Sequence, residues 1–277
     1  MKNVRVRILA LCAIAGISAT AYYKKRRSVH DQSAEHNAIL RAVAAIRSSM
    51  PRTGGRKLLH NLPAETPKIG RDRFFRLLDE HGLLVRPRRQ YVRTTNSSHH
   101  FFVHDNLVKS MSITKPERAF AADITYIDTD EGHGYLALIT DMCSRKIVGN
   151  DFSDSLSLDG SMRALKMALR TVRDPEQLTH HSDRGVQYCS HPYTNLLRKH
   201  GVNISMAEAG NPYENALAER VNGILKNEFF LDVRFPSMIH AKMAIKEAIY
   251  LYNNKRSHLS IGYRTPQEYH QAELINP

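Results

Sequence analysis

The chain has 277 residues, 42% hydrophobic and 24% charged, with a formal net charge of +13. That suits an enzyme-sized globular domain plus a smaller module and excludes a wholly disordered chain. Its three scattered cysteines, Cys12, Cys143 and Cys189, lack Cys-x-x-Cys spacing, which excludes a disulfide framework and a structural zinc site and suits a reducing compartment.

The charge is unevenly placed. Residues 1–115 hold 22 Lys and Arg against 7 Asp and Glu, whereas residues 116–277 hold 18 against 20. A basic front half points to a polyanionic partner, nucleic acid before others. At the N-terminus, Lys2 to Arg7 is basic, Ile8 to Ala21 mostly apolar, and Ala19-Thr-Ala21 resembles a cleavage site, the outline of a signal peptide. The run is too short to span a bilayer and is broken by Gly16 and Ser18. A helix, a turn at Gly16-Ile-Ser18 and a second helix explain it as a helix-turn-helix outline in an intracellular protein without a membrane partner.

Ile39, Leu40, Val43 and Ile46 predict a further helix over 35–48, stopped by Pro51 to Gly55. Short helices follow over Arg56–Leu62 and Asp72–His81, the latter with Phe74, Phe75, Leu77 and Leu78 apolar and Gly82 as its stop. Arg71, Arg73 and Arg76 beside them give the general form of a DNA-reading element. The chain thus divides into a helical region over 1–85, a basic and polar linker over 86–115 and a larger domain over 116–277. His99, His100 and His104 cluster in or near the linker without the partners of a closed zinc site and are read as solvated loop residues.

From Ala119 the texture changes. Ala119–Thr129, Tyr135–Ser144 and Lys146–Ser153 are rich in β-branched and aromatic residues and predict a three-strand antiparallel meander. A helix over Ser157–Val172, a strand over 178–183, a helix over 193–200 and a strand over 203–207 follow. A helix over 215–230 and a final helix over 238–253 complete the pattern of an α/β domain, a mixed sheet with helices on its faces.

Three acids stand out: Asp123, Asp183 and Glu219, the last two with 35 residues between them. Asp123 interrupts an apolar strand, where a carboxylate is costly unless paired or bound to metal. Asp183 ends a strand, the place where open α/β sheets bind ligands. On the 215–230 helix, with about 100° per residue, Asn215, Glu219, Asn222 and Lys226 share one face and Leu217, Val221 and Ile224 the opposite, buried one. Taken alone, Glu219 reads better as a surface residue facing Lys226. Asp128, Asp130 and Asp141 rank lower: the first two flank a turn, and Asp141 suits a strand's edge. Carboxylates on two strands and a helix can hold a pair of divalent cations, the equipment for phosphodiester chemistry.

These residues carry a resemblance. Asp123-Ile-Thr-Tyr-Ile127, His181-Ser-Asp-Arg-Gly-Val-Gln-Tyr188, Gly210-Asn-Pro-Tyr-Glu-Asn215, Glu219 with Lys226 seven residues on, and Tyr252-Asn-Asn-Lys-Arg-Ser-His258 before Thr265-Pro266 resemble the OrfB-type transposases of bacterial insertion sequences, in the retroviral-integrase-like DDE superfamily. The likeness covers nearly the whole chain. Phe120, where the family usually has Trp, and Thr53-Gly54-Gly55 depart from it without touching the acids.

The resemblance implies a ribonuclease-H-like fold with a five-stranded sheet. It also implies two Mg²⁺ ions, with Mn²⁺ as substitute, held by Asp123, Asp183 and Glu219. Lys226 and Asn215 would contact or orient terminal DNA, and Tyr188 and Cys189 would be structural or DNA-contacting at most. The implied partners are the element's terminal inverted repeats and target DNA, a homo-oligomer on that DNA, and an upstream OrfA-type DNA-binding protein, separate or fused. The implied place is the bacterial cytoplasm, at the nucleoid. Two other readings share features with this one: a DNA-binding repressor without catalysis, and a ribonuclease-H-like nuclease acting on RNA–DNA hybrids.

Overall fold

The computed structural model describes residues 8–85, 101–208 and 216–275. They fall into two compact units, one from Met1–Ser49 and Thr53–Val85, the other from Met50–Arg52 and Arg86–Pro277.

The described part of the first unit is helical: α1 (Ile8–Ile14), α2 (Ala19–Ser49), α3 (Gly55–His60) and α4 (Arg71–Glu80). Gly16, at φ +67°, makes the turn after α1, and Ser18 Oγ accepts from Ala21 N at 3.1 Å to start α2. The helix expected over 35–48 is not separate. It is the C-terminal part of the 31-residue α2, because no Gly or Pro interrupts the chain between Ala19 and Ser49. Ile39 and Val43 from α2 pack with Leu58 of α3 and with Phe74, Leu77 and Leu78 of α4. Arg71, Arg73 and Arg76 are exposed on α4. Gly82, at φ +64°, ends that region, with Leu83 N donating to Leu78 O at 2.7 Å.

The second unit is built on a five-stranded sheet in the order β3-β2-β1-β4-β5. Its strands are β1 (Ala119–Thr129), β2 (Gly132–Asp141), β3 (Ile147–Ser153), β4 (Thr179–Ser182) and β5 (Asn203–Met206). The first three form the expected antiparallel meander, and β4 and β5 run parallel to β1. β2 starts and ends three residues earlier than the alternation suggests, because residues 142–146 turn the chain back. There Asp141 Oδ1 accepts from Cys143 N, Ser144 N and Ser144 Oγ, and Arg145 takes φ +67°.

Helices cover both faces. Phe120, Ala122, Ala137 and Ile139 point to the side packed by α5 (Leu158–Leu169), α6 (Val186–Cys189) and α7 (His191–Lys199). A Cβ at Gly149 would run into the Ala164 carbonyl, so the glycine lets α5 lie close on β3. The other face carries α8 (Ala216–Glu228) and α9 (Met238–Asn254). A helix beyond the one expected to be last, α10 (Pro266–Ile275), packs on α9. Its weak amphipathic pattern hides it in the sequence: only Pro266 and His270 are buried.

The Tyr252–His258 segment is structural. Asn253 Oδ1 accepts from Ile147 N and its Nδ2 donates to Ile147 O, both at 3.0 Å, so this side chain pairs with edge strand β3 as a neighbouring strand would. Arg256 forms a two-pronged bridge to Glu228 at 2.8 Å, tying the end of α9 to α8. Among the described residues, no helix is long and apolar enough to cross a membrane.

Candidate active site

The register of β1 against β4 sets the site. Ala119 lies opposite Thr179 and Ala122 opposite Ser182. One residue beyond that last pair come Asp123 and Asp183, close enough for the Asp183 charge to act on Asp123. Residues at matched positions of neighbouring strands point to the same face, with strands about 4.8 Å apart. Ala119, Ala121 and Asp123 alternate onto the face that α8 covers, opposite the face of Phe120 and Ala122.

Asp123 is half-buried. Its Oδ1 accepts from Ile124 N at 2.9 Å, and its Oδ2 accepts from Asn222 Nδ2 at 2.7 Å. Burial and then the neighbouring Asp183 charge nevertheless push its carboxyl up to about 7, with a smaller contribution from Glu219. Two donors do not offset that crowding of negative charge. Asp183 Oδ1 accepts from Gly185 N at 2.9 Å, and Arg184 Nε donates to Ala207 O at 2.7 Å, fixing the loop after β4 to the end of β5.

The buried stripe of α8 is Ala218, Val221, Asn222 and Leu225; Leu217 and Ile224 are half-buried. The expected buried face, Leu217–Val221–Ile224, is therefore turned by about one residue. Asn222, assigned by the sequence to Glu219's face, lies within the stripe and reaches Asp123. Its Oδ1 is buried and, among the described residues, has no hydrogen-bond partner. Glu219 stays exposed at the stripe's border, close enough for its charge to act on Asp123. Among the described residues, no group of three or more His, Cys, Asp or Glu side chains is placed to hold a metal ion. Asp123 and Asp183 are brought together, and Glu219 joins them through its field. Asn215 lies outside the described residues, as do the whole of its motif and His99 and His100.

Lys226, seven residues beyond Glu219, is half-buried with Nζ 5.5 Å from the centre of the Tyr126 ring. Tyr188 and Cys189 are enclosed in the opposite layer. The Tyr188 ring packs edge-on against Tyr193, whose hydroxyl meets His180 Nε2 at 3.0 Å. The lower-ranked acids have other occupations. Asp128 meets His133 at 2.7 Å and Asp130 meets Arg234 at 2.8 Å, both on the surface. Asp141 is not at a strand's edge. It is fully buried on a central strand, and its Oδ2 accepts from Glu117 N at 2.7 Å.

Comparisons with known proteins bear on the fold and the family. Residues 113–212 and 200–266 match two families, each described as integrase core domain. A protein of Shigella sonnei, the insertion element IS600 uncharacterized 31 kDa protein, is 36% identical over 270 residues, 94% of this chain and 99% of its own length. The Shigella sonnei transposase for insertion sequence element IS629 is 30% identical over 275 residues, 95% of this chain and 90% of its own. Among solved structures, a simian T-cell lymphotropic virus intasome in complex with PP2A regulatory subunit B56 gamma aligns with TM-score 0.50 at 17% identity, over 85% of this chain and 76% of that one. That likeness shows the fold, the ribonuclease-H-like sheet of integrase cores. The chain belongs to the insertion-sequence transposases of the DDE superfamily, polynucleotidyl transferases with an integrase-like catalytic core.

Proposed function

We propose that Asp123, Asp183 and Glu219 are the catalytic carboxylates, and that the enzyme cleaves and joins insertion-sequence ends by in-line attack of water or a DNA 3′-hydroxyl on a phosphodiester. The observation that carries this reading is the parallel register seating Asp123 beside Asp183, with Glu219 acting on the same carboxyl. Attack forms the new P–O bond as the bond to the 3′-oxygen breaks, so no side-chain nucleophile is needed; the enclosure of Tyr188 and Cys189 is consistent with that.

The donor set suits a hard divalent cation. Burial and a second acid hold the Asp123 carboxyl up to about 7, and Asn222 Oδ1 is a buried acceptor with no hydrogen-bond partner among the described residues. Asp123, Asp183 and Glu219 would hold two Mg²⁺ ions, with Mn²⁺ as substitute, through oxygen ligands. When bound, these ions polarise the attacked phosphate and stabilise the attacking and leaving oxygens.

The chain's own groups do the rest. Asn222 holds Asp123 Oδ2 and so orients that carboxylate. Asn222→Ala is expected to lower strand transfer and cation affinity about 10- to 100-fold, the scale of losing a group that orients a ligand. Kinetics across a Mg²⁺ titration check this; unchanged affinity would remove Asn222 from the machinery. Lys226 supplies a positive charge for a phosphate of the terminal DNA, and Asn215 helps orient that end.

Residues 1–85 act as a DNA-binding helix-turn-helix-like module, residues 86–115 as its linker and 116–277 as the catalytic core. Arg71, Arg73 and Arg76, exposed on α4, are the proposed contacts of that module with the terminal repeats. The partners are the terminal inverted repeats, target DNA, further copies of the chain, and an OrfA-type protein, separate or fused. The cytoplasm and nucleoid are the proposed location. The test is strand transfer of a labelled element end by the full chain in Mg²⁺. End-specific joining abolished by EDTA is expected. Tight end binding without cleavage would instead make the chain a repressor, and degradation of RNA–DNA hybrids without end preference would make it a nuclease.

A further inference from the structure

The geometry points to Tyr126 as the residue that positions Lys226 against the terminal DNA, an inference that rests on the reading of Lys226 as a DNA contact. β4 stops pairing with β1 at Ser182, opposite Ala122. The β1 edge beyond Asp123 therefore has no β4 neighbour, and the Lys226 side chain from α8 comes over the Tyr126 ring there, with Nζ 5.5 Å from the centroid. That distance is within the reach of a cation–π contact.

The ring is itself held. Tyr126 lies opposite Tyr135 in the β1–β2 register, and the two rings meet edge to face, 6.3 Å apart at 85°. His133, paired with Asp128 at 2.7 Å, flanks Tyr126 with its ring 5.8 Å away. Among the described residues, no carboxylate forms an ion pair with Lys226; Asp128, Asp123 and Asp232 act on it through space. Burial holds its ammonium below the usual lysine range, against those charges.

The chemistry explains why a ring serves here better than an acid. A lysine stem is long and flexible, and a free ammonium spends most of its time away from any one phosphate. A carboxylate partner would fix it but occupy its N–H donors. The face of an aromatic ring attracts the cation through its quadrupole and leaves N–H donors free for a phosphate oxygen. Tyr126 would then act through Lys226, without touching the reacting atoms.

The test uses the full chain and a duplex carrying the element end, with affinity measured over a range of salt. Lys226→Ala and Tyr126→Leu are each expected to weaken binding and to lower the slope of log K against log salt by about one, the loss of one phosphate contact. The double variant should bind no more weakly than Lys226→Ala alone, within about twofold, as for two residues acting as one unit. Tyr126→Phe, which keeps the ring, should recover the wild-type slope. If Lys226→Ala leaves affinity and slope unchanged, the reading of Lys226 itself fails. If it weakens binding while Tyr126→Leu does not, or if the two losses multiply, the positioning role of Tyr126 is overturned.

A measurement on the unmutated chain guards against a variant that fails to fold. The Lys226 ε-methylene protons should be shifted upfield of the other lysines by the ring current of Tyr126. Their appearance among the solvated lysines would equally overturn the inference.

Discussion

Asp183→Asn is expected to lower strand transfer on the order of a thousandfold while the protein still folds and binds the element end. Cation stabilisation of transition-state charge is worth several kcal/mol, and each ~1.4 kcal/mol is a factor of ten. The substitution keeps the shape of the side chain and an oxygen able to accept from Gly185 N, so the turn after β4 should survive. What it removes is the charge beside Asp123. Asp123→Asn and Glu219→Gln should fall as far, and combining any two should cost little more, because the acids act as one unit. Single-turnover joining of a labelled end, with end binding measured in parallel, checks this. Full activity in Asp183→Asn would show that the chemistry lies elsewhere.

The second large effect is a dependence of stability on pH that a divalent cation reverses. In the cation-free protein Asp123 keeps its proton up to about 7, against a reference value of 3.8. Between those values the folded state binds more protons than the unfolded state, so stability falls as pH rises. The contribution is fully present below the unfolded value and lost as pH rises through about 7. Its ceiling is about 4 kcal/mol, less after solvent screening of a half-buried group.

Mg²⁺ competes with that proton, so its stabilising effect should be small at pH 6 and large at pH 8. Asp123→Asn should raise the melting temperature of the cation-free protein at pH 8 and reduce the Mg²⁺ response, trading activity for stability. Melting curves at both pH values, with Mg²⁺ and with EDTA, decide it. An equal Mg²⁺ shift at pH 6 and pH 8 would sink the idea.

Much of this protein is legible in one dimension. The meander, β4 and β5, and the helices between them follow from alternation, 3.6-residue spacing and Gly or Pro stops, all local properties of the chain. The unbroken α2 was legible too, in the absence of any breaker between Ala19 and Ser49, but its apolar stripe marks only the C-terminal part that is packed. α10 was not legible, because its burial at Pro266 and His270 depends on a surface assembled from distant segments.

The acids divide in the same way. Asp123, Asp183 and Glu219 stand out as candidates by residue type, neighbours and spacing, while sequence likeness shows the family. How the other acids are engaged was decided by folding: Asp141 ranks below Asp123 in the sequence, but only its bonds to the 142–146 turn and Glu117 show what occupies it.

The sequence by itself determined most of the strands and helices of the core, the family and the three candidate carboxylates. Only the tertiary structure decided that Asn222 reaches Asp123, that burial and Asp183 hold its proton up to about 7, and that Lys226 lies over Tyr126. The physical reason is range. Propensity and periodicity act over a few residues, whereas burial, the interaction of like charges and the facing of a helix against a strand are properties of groups far apart in the chain. For Asn222 and Asp123 that separation is 99 residues, and a turn of α8 by one position would be enough to break their contact.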